Sequence, residues 1–208
     1  GGSPVQAGMI YDEIRRLRQV YPDKPLYVVV EELCASGGYY VAAAADKIYV
    51  DKASIVGSIG VMINGFGVTG LMQKLGIERR LLPAGENKGF LDPFSPQTPQ
   101  QVQYAQSMLN QIHQQFIEVV RQGRGDRLKE NREIFSGLVF LGPETINLGL
   151  ADDLGTVESV ARDVIKAPDI VDYTEQERLS DRFLKKFGAS VGYGAAQAGL
   201  DWNPVPLR

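Results

Sequence analysis

Apolar and polar positions divide the chain into alternating helix-like and strand-like stretches. Over residues 5–20, Ile10, Ile14 and Leu17 recur at three- and four-residue spacing, with Asp12, Glu13, Arg15, Arg16 and Arg18 on the other face. That period predicts an amphipathic helix. Tyr21-Pro22-Asp23-Lys24-Pro25 ends it. Residues 26–30 are a β-branched run of the kind found in buried strands. Cys34-Ala35-Ser36-Gly37-Gly38 reads as a tight turn of small residues. The helix expected over 39–45 has side chains so small that another element must pack closely on it. Residues 47–50 and 55–63 read as two further strands, the second interrupted by Gly57 and Gly60.

This alternation predicts an α/β fold with parallel pairing. A polar segment rich in Gly and Pro, residues 83–99, interrupts the pattern and is long enough to be a functional arm. Residues 98–120 predict a long helix with one stripe of Val102, Ala105, Leu109, Ile112, Phe116 and Val119. Another αβ-like stretch ends near Val164. The tail over 188–199 is rich in Gly and Ala and is expected to order only against a partner. The expected division is therefore a catalytic domain over 1–165 and a C-terminal extension over 166–208.

Composition narrows the chemistry. The 208 residues are 44% apolar and 23% charged, an ordinary globular balance, and the net charge of −3 offers nucleic acid no electrostatic attraction. The single cysteine, Cys34, rules out an intrachain disulfide, and the single histidine, His113, rules out a site built from several histidines. No metal site or cofactor is implied. No run approaches the roughly 18 consecutive apolar residues of a membrane span. The chain opens at Gly1-Gly2-Ser3-Pro4 with neither an initiator methionine nor a signal peptide, and is read as a fragment.

Ser36 is the sharpest chemical candidate. A serine between strand and helix, followed by Gly37 and Gly38, gains from the helix dipole and from free N–H groups that can hold an oxyanion. Ser-Gly-Gly alone reads first as a helix cap. His113, beside the apolar stripe of its helix, reads as a packed helix residue. A desolvated lysine is the other route to a base. Lys88, in Gly85-Glu86-Asn87-Lys88-Gly89, could fold over a site, although a loop lysine alone reads as solvated surface. Cys34 reads as a small packing residue.

Three consecutive motifs then carry a resemblance: Ala35-Ser36-Gly37-Gly38-Tyr39-Tyr40, Ala45-Asp46-Lys47-Ile48 and Gly57-Ser58-Ile59-Gly60-Val61. Gly123-Arg124-Gly125 and Gly149-Leu150-Ala151-Asp152-Asp153-Leu154-Gly155 extend it. Together they resemble the core of the signal peptide peptidase A family (SppA/SohB), over about residues 1 to 165. The resemblance implies a Clp protease/crotonase-like fold with repeated β-β-α units, here N-terminally truncated. It implies a serine endopeptidase with Ser36 as nucleophile, Lys88 as general base and Ser58 orienting the lysine amine. Gly1-Gly2-Ser3 resembles the end of the family's Pro-Gly-Gly turn, which places the N–H of Gly2, with that of Gly37, at the oxyanion.

Substrate is expected to lie extended beside Ile55, Gly57, Ile59, Gly60 and Val61, adding a strand. The resemblance further implies hydrophobic, membrane-derived peptides such as remnant signal peptides. It implies a membrane-associated bacterial setting with the domain outside the cytoplasm, and a homo-oligomer in which neighbouring subunits supply serine and lysine. The rival readings are a crotonase-like acyl-CoA enzyme with Glu31 or Glu32 as base, and a non-catalytic oligomeric scaffold.

Overall fold

The first helix forms where the chain supplies both a cap and a period. The computed structural model describes residues 1–174, and in it α1 spans Pro4–Val20, with Ser3 as N-cap and Pro4 in the first turn. Its packed face is Ala7, Tyr11 and Ile14. That corrects the expected stripe, because Ile10 and Leu17 point outward. The reason is the partner: α1 lies on the short helix α2 (Gly37–Ala42), whose small residues admit Ala7 and the Tyr11 ring. Tyr11 meets Tyr40 of α2 edge-on, 5.7 Å between centroids. Ala43 and Ala44, just past α2, are fully buried, so the small-sided stretch is packed closely, as its composition requires.

The strands come in pairs. β1 (Tyr27–Val30) is followed at once by β2 (Leu33–Ala35), and β3 (Lys47–Val50) by β4 (Ile55–Gly57). First members pair in parallel with each other, as do second members. β6 (Asp153–Leu154) adds to β3 in parallel, and β5 (Val139–Leu141) to β4 antiparallel. The result is two three-stranded sheets, β1-β3-β6 and β2-β4-β5. A chain that runs strand, strand, helix and then repeats has the β-β-α form, within the expected α/β class. β2 replaces part of the expected turn, because its pairing with β4 and not its own composition makes it a strand. β4 stops at Gly57 rather than continuing to Ile63, because Ser58 turns left-handed at φ 51°.

Helix α3 (Thr69–Leu75) lies in a stretch that carried no predicted element, and it buries none of its residues. The following segment to Thr98 is irregular, and from residue 83 on its composition predicts this. Helix α4 (Pro99–Arg124) starts at a capping box, Thr98 with Gln101. Its C-terminal half packs through Phe116, Val119 and Val120, whereas Val102 near its start is half exposed. The chain closes through α5 (Gly142–Asn147) and α6 (Val157–Ser159), which runs on as a π-helical turn, Val160–Ile165. Residues 1 to 168 form one compact unit. Its main core joins Tyr39, Ile48, Val50, Val56, Ile59, Val120, Ile134 and Leu150. Among the described residues no helix is long and apolar enough to cross a membrane. The expected Gly/Ala-rich tail over 188–199 lies outside the described residues.

Candidate active site

Ser36 stands where β2 ends and α2 begins. Its N–H donates to the Gly57 carbonyl at 2.9 Å, extending the β2–β4 ladder one residue past the strand. The backbone then turns to φ 56°, ψ −124°, and the side chain makes no capping hydrogen bond to α2. A capping serine would have extended backbone and would accept an N–H from the first turn; Ser36 does neither. Holding a residue with a Cβ in such a conformation costs about 1–3 kcal/mol. The surrounding register bears that strain and leaves the hydroxyl uncommitted to its own helix.

Ser58 occupies the matching place one strand over. Ala35 pairs with Gly57, so the next residue of each strand, Ser36 and Ser58, emerges at the same end of the sheet. The Ser58 N–H donates to the Leu138 carbonyl at 2.7 Å. Gly57 is required between them: its φ is +117°, and an added methyl would lie 2.9 Å from the Leu138 carbonyl oxygen.

The start of the chain supplies the facing wall. A methyl built on Gly1 would sit 3.4 Å from Ser36 Cβ, and one on Gly37 would sit 3.2 Å from the Gly2 nitrogen. Gly37 is the first residue of α2, so its N–H has no acceptor within the helix. Gly2, Ser36, Gly37 and Ser58 share the lining of one cavity of about 560 Å³. Its other walls are largely apolar: Val5 of α1, Tyr40 of α2, Val61 and Met62 after β4, and Ile112 and Phe116 of α4. The Tyr40 and Phe116 rings lie 5.1 Å apart.

The other candidates fall elsewhere. Lys88 is exposed in the irregular arm and contributes nothing to the lining of the Ser36 cavity. Its backbone N–H closes a local turn on Gly85 at 3.1 Å. His113 is partly buried and hydrogen-bonds through Nε2 to the Ile59 carbonyl at 3.0 Å. Burial pushes the Cys34 thiol up to about 11, so near neutral pH it is a protonated packing group. Glu31 and Glu32 are exposed and flank a different hollow beside β1, away from Ser36.

The expected substrate edge needs correction. β4 is paired on both sides, with β2 and with β5, so no further strand can add along Ile55 and Gly57. Ile59 is fully buried in the core and serves packing. Of the predicted contact residues only Gly60 and Val61 line the cavity.

Sequence reasoning also missed what lies beneath the site. The Tyr39 hydroxyl donates to the Leu150 carbonyl at 2.8 Å, and burial raises its phenol well above the usual range. Arg124, fully buried, donates to the Gly149 carbonyl at 2.7 Å and to Asp152 at 2.9 Å. Asp152 also accepts from Arg127 at 3.0 Å and from the Ile48 N–H at 2.7 Å. Burial acts to raise the Asp152 carboxyl, but these donors outweigh it and hold the group below its ordinary value. Thus Tyr39, Gly123-Arg124-Gly125 and Gly149–Asp152 are one polar scaffold under α2. An arginine between two glycines was the available signal: Gly123 packs against the Ala43 carbonyl where no methyl fits, and Gly125 ends α4 at a φ of +52°.

Comparison with known proteins gives the chain a family. Residues 18–170, well over half the chain, match the family described as peptidase family S49. A candidate protease of Methanocaldococcus jannaschii is 33% identical over 195 residues, covering 90% of this chain and 63% of that protein. A Brucella abortus protein named as the Na(+)/H(+) antiporter NhaA is 44% identical over 162 residues, covering 78% of this chain but 22% of that protein. The chain thus spans less than two thirds of the length of either relative. Among solved structures, an enoyl-CoA hydratase/isomerase family member aligns over 93% of this chain and 57% of its own, with TM-score 0.38 and 18% identity.

Proposed function

The chain belongs to peptidase family S49, and on that premise we propose that it hydrolyses peptide bonds with Ser36 as nucleophile and Lys88 as general base. The observation that carries this is the Ser36 geometry: a strained, non-capping serine at the wall of an apolar cavity, with Gly2 and Gly37 beside it. The neutral Lys88 amine takes the Ser36 hydroxyl proton as Oγ bonds to the scissile carbonyl carbon. The Gly2 and Gly37 N–H groups donate to the resulting oxyanion. The Lys88 ammonium then protonates the departing amine, leaving an acyl-enzyme that water hydrolyses with Lys88 again as base. Ser58, one strand from Ser36, accepts from the lysine amine and orients it.

Two further features belong to the proposal. The apolar walls suit hydrophobic segments, of which remnant signal peptides are the class implied by the sequence motifs. The dyad is shared between subunits. This is supported by the position of Lys88 outside the cavity lining, and by the stretch that leads into its arm, which exposes Phe66, Leu71, Leu75, Ile77 and Leu82. So much apolar surface calls for a covering partner, and a second copy that covers it could deliver its Lys88 to this Ser36.

A fluorophosphonate probe should label wild-type protein on Ser36 and leave Ser36→Ala unlabelled; a folded, unreactive wild type ends the peptidase reading. Ser36→Ala and Lys88→Ala should each lower turnover by about a hundredfold or more, and the double change should add little. Mixed Ser36→Ala and Lys88→Ala subunits should regain activity, because some interfaces pair two intact residues. No recovery in mixed oligomers places the dyad within one chain.

A further inference from the structure

The turn that follows β4 has its peptide groups held from three directions. The Ser58 N–H is bound by the Leu138 carbonyl, and the Gly60 N–H closes back on the Ser58 carbonyl at 2.9 Å, across Ile59. The Ile59 carbonyl, between them, accepts from His113 Nε2 at 3.0 Å. A carbonyl oxygen only accepts, so the imidazole must carry a proton on Nε2. Ser58 is held at φ 51°, a conformation a serine does not keep without outside support. The Ile59 side chain, fully buried, anchors the turn from below. His113 ties it sideways to α4, whose neighbouring Ile112 and Phe116 form the opposite wall of the Ser36 cavity.

We propose that His113 is a positioning residue for the peptidase reaction: its Nε2–H holds the Ile59 carbonyl, and so fixes the Ser58–Gly60 turn and the Ser58 hydroxyl relative to Ser36. The inference rests on the peptidase reading for its rate readout. Without the donor the turn keeps its apolar anchor, so the fold persists while the strained serine gains freedom. Misplacing a group at the reacting centre by about 1 Å costs on the order of a hundredfold in rate; a partly anchored turn should lose less.

The test is peptide hydrolysis by the full-length, assembled protein. His113→Leu removes the donor at similar bulk, and His113→Gln restores an N–H at a similar reach. His113→Leu should lower kcat about tenfold and change KM by less than about twofold, whereas His113→Gln should recover kcat to within about threefold of wild type. Two results overturn the proposal in folded proteins: a His113→Leu kcat within about twofold of wild type, or a His113→Gln kcat as low as that of His113→Leu. If His113→Leu fails to fold, nitrogen-resolved NMR of the single imidazole in wild type decides. The Nε2–H form supports the proposal, and a neutral ring protonated on Nδ1 overturns it. Failure of the peptidase reading looks different, since wild type would then show no hydrolysis that Ser36→Ala abolishes.

Discussion

Two serines at the ends of adjacent parallel strands, both with left-handed backbone, set the character of this molecule at the scale of single residues. Neighbouring groups are correspondingly quiet. Cys34, two positions before Ser36, faces the core, and burial raises its thiol from 9.0 to about 11. At a fixed pH near 8 that leaves about a hundredfold less thiolate than in the unfolded chain. Alkylation of Cys34 by iodoacetamide should therefore be slower by about that factor in native than in denatured protein. Equal rates would show that Cys34 is not enclosed. Ser36 was legible as a candidate from Ser-Gly-Gly. Its non-capping role was not, because cap and nucleophile share one sequence signature and differ only in backbone angles.

Among elements, close approach decides which contacts survive. The α4 residue Gly123 packs so tightly on the end of α2 that an added methyl would overlap the Ala43 carbonyl, a backbone atom that cannot swing aside. Gly123→Ala should therefore push α4 off α2 and lower stability by about 1–3 kcal/mol or more. Gly65→Ala, where a methyl would meet nothing within 4 Å, should stay within about 0.5 kcal/mol of wild type. Denaturant titration of the two variants separates them, and a Gly123→Ala protein as stable as Gly65→Ala would refute the packing argument. α1 and α4 were readable from their periods because each carries enough residues to show one, whereas α3, with seven, was not. β2 was not, since three residues cannot display alternation and only the pairing with β4 makes them a strand.

At the scale of the whole molecule, Arg124 and Asp152 tie the start of β6 to α4 and to β3. The pair is nearly dry, with side-chain exposures of 0% and 14%. Breaking such a pair from one side costs about 3–5 kcal/mol, because the other charge stays buried. The folded Asp152 carboxyl lies below its ordinary value. The stability it contributes is therefore fully present above the unfolded value of about 3.9, and is lost as pH falls through the lower folded value. Asp152→Asn should lose about 3 kcal/mol near pH 7, and its disadvantage relative to wild type should begin to shrink as pH falls below about 4. A stability difference that does not vary between pH 7 and pH 3 would contradict the assignment.

By itself the sequence determined the α/β alternation, the long amphipathic helix, the irregular arm and the motifs that carry the family. These are local properties, written in spacing, in Gly and Pro, and in small side chains. Only the tertiary structure decided which face of α1 is buried, that β4 lies between two strands and cannot receive a third, and that His113 serves a backbone carbonyl. It likewise decided that Ser36, Ser58, Gly2 and Gly37 share one cavity while Lys88 stands outside its lining. Each of these depends on groups far apart in the chain, brought together by strand register and helix contact, and no local pattern encodes the partner.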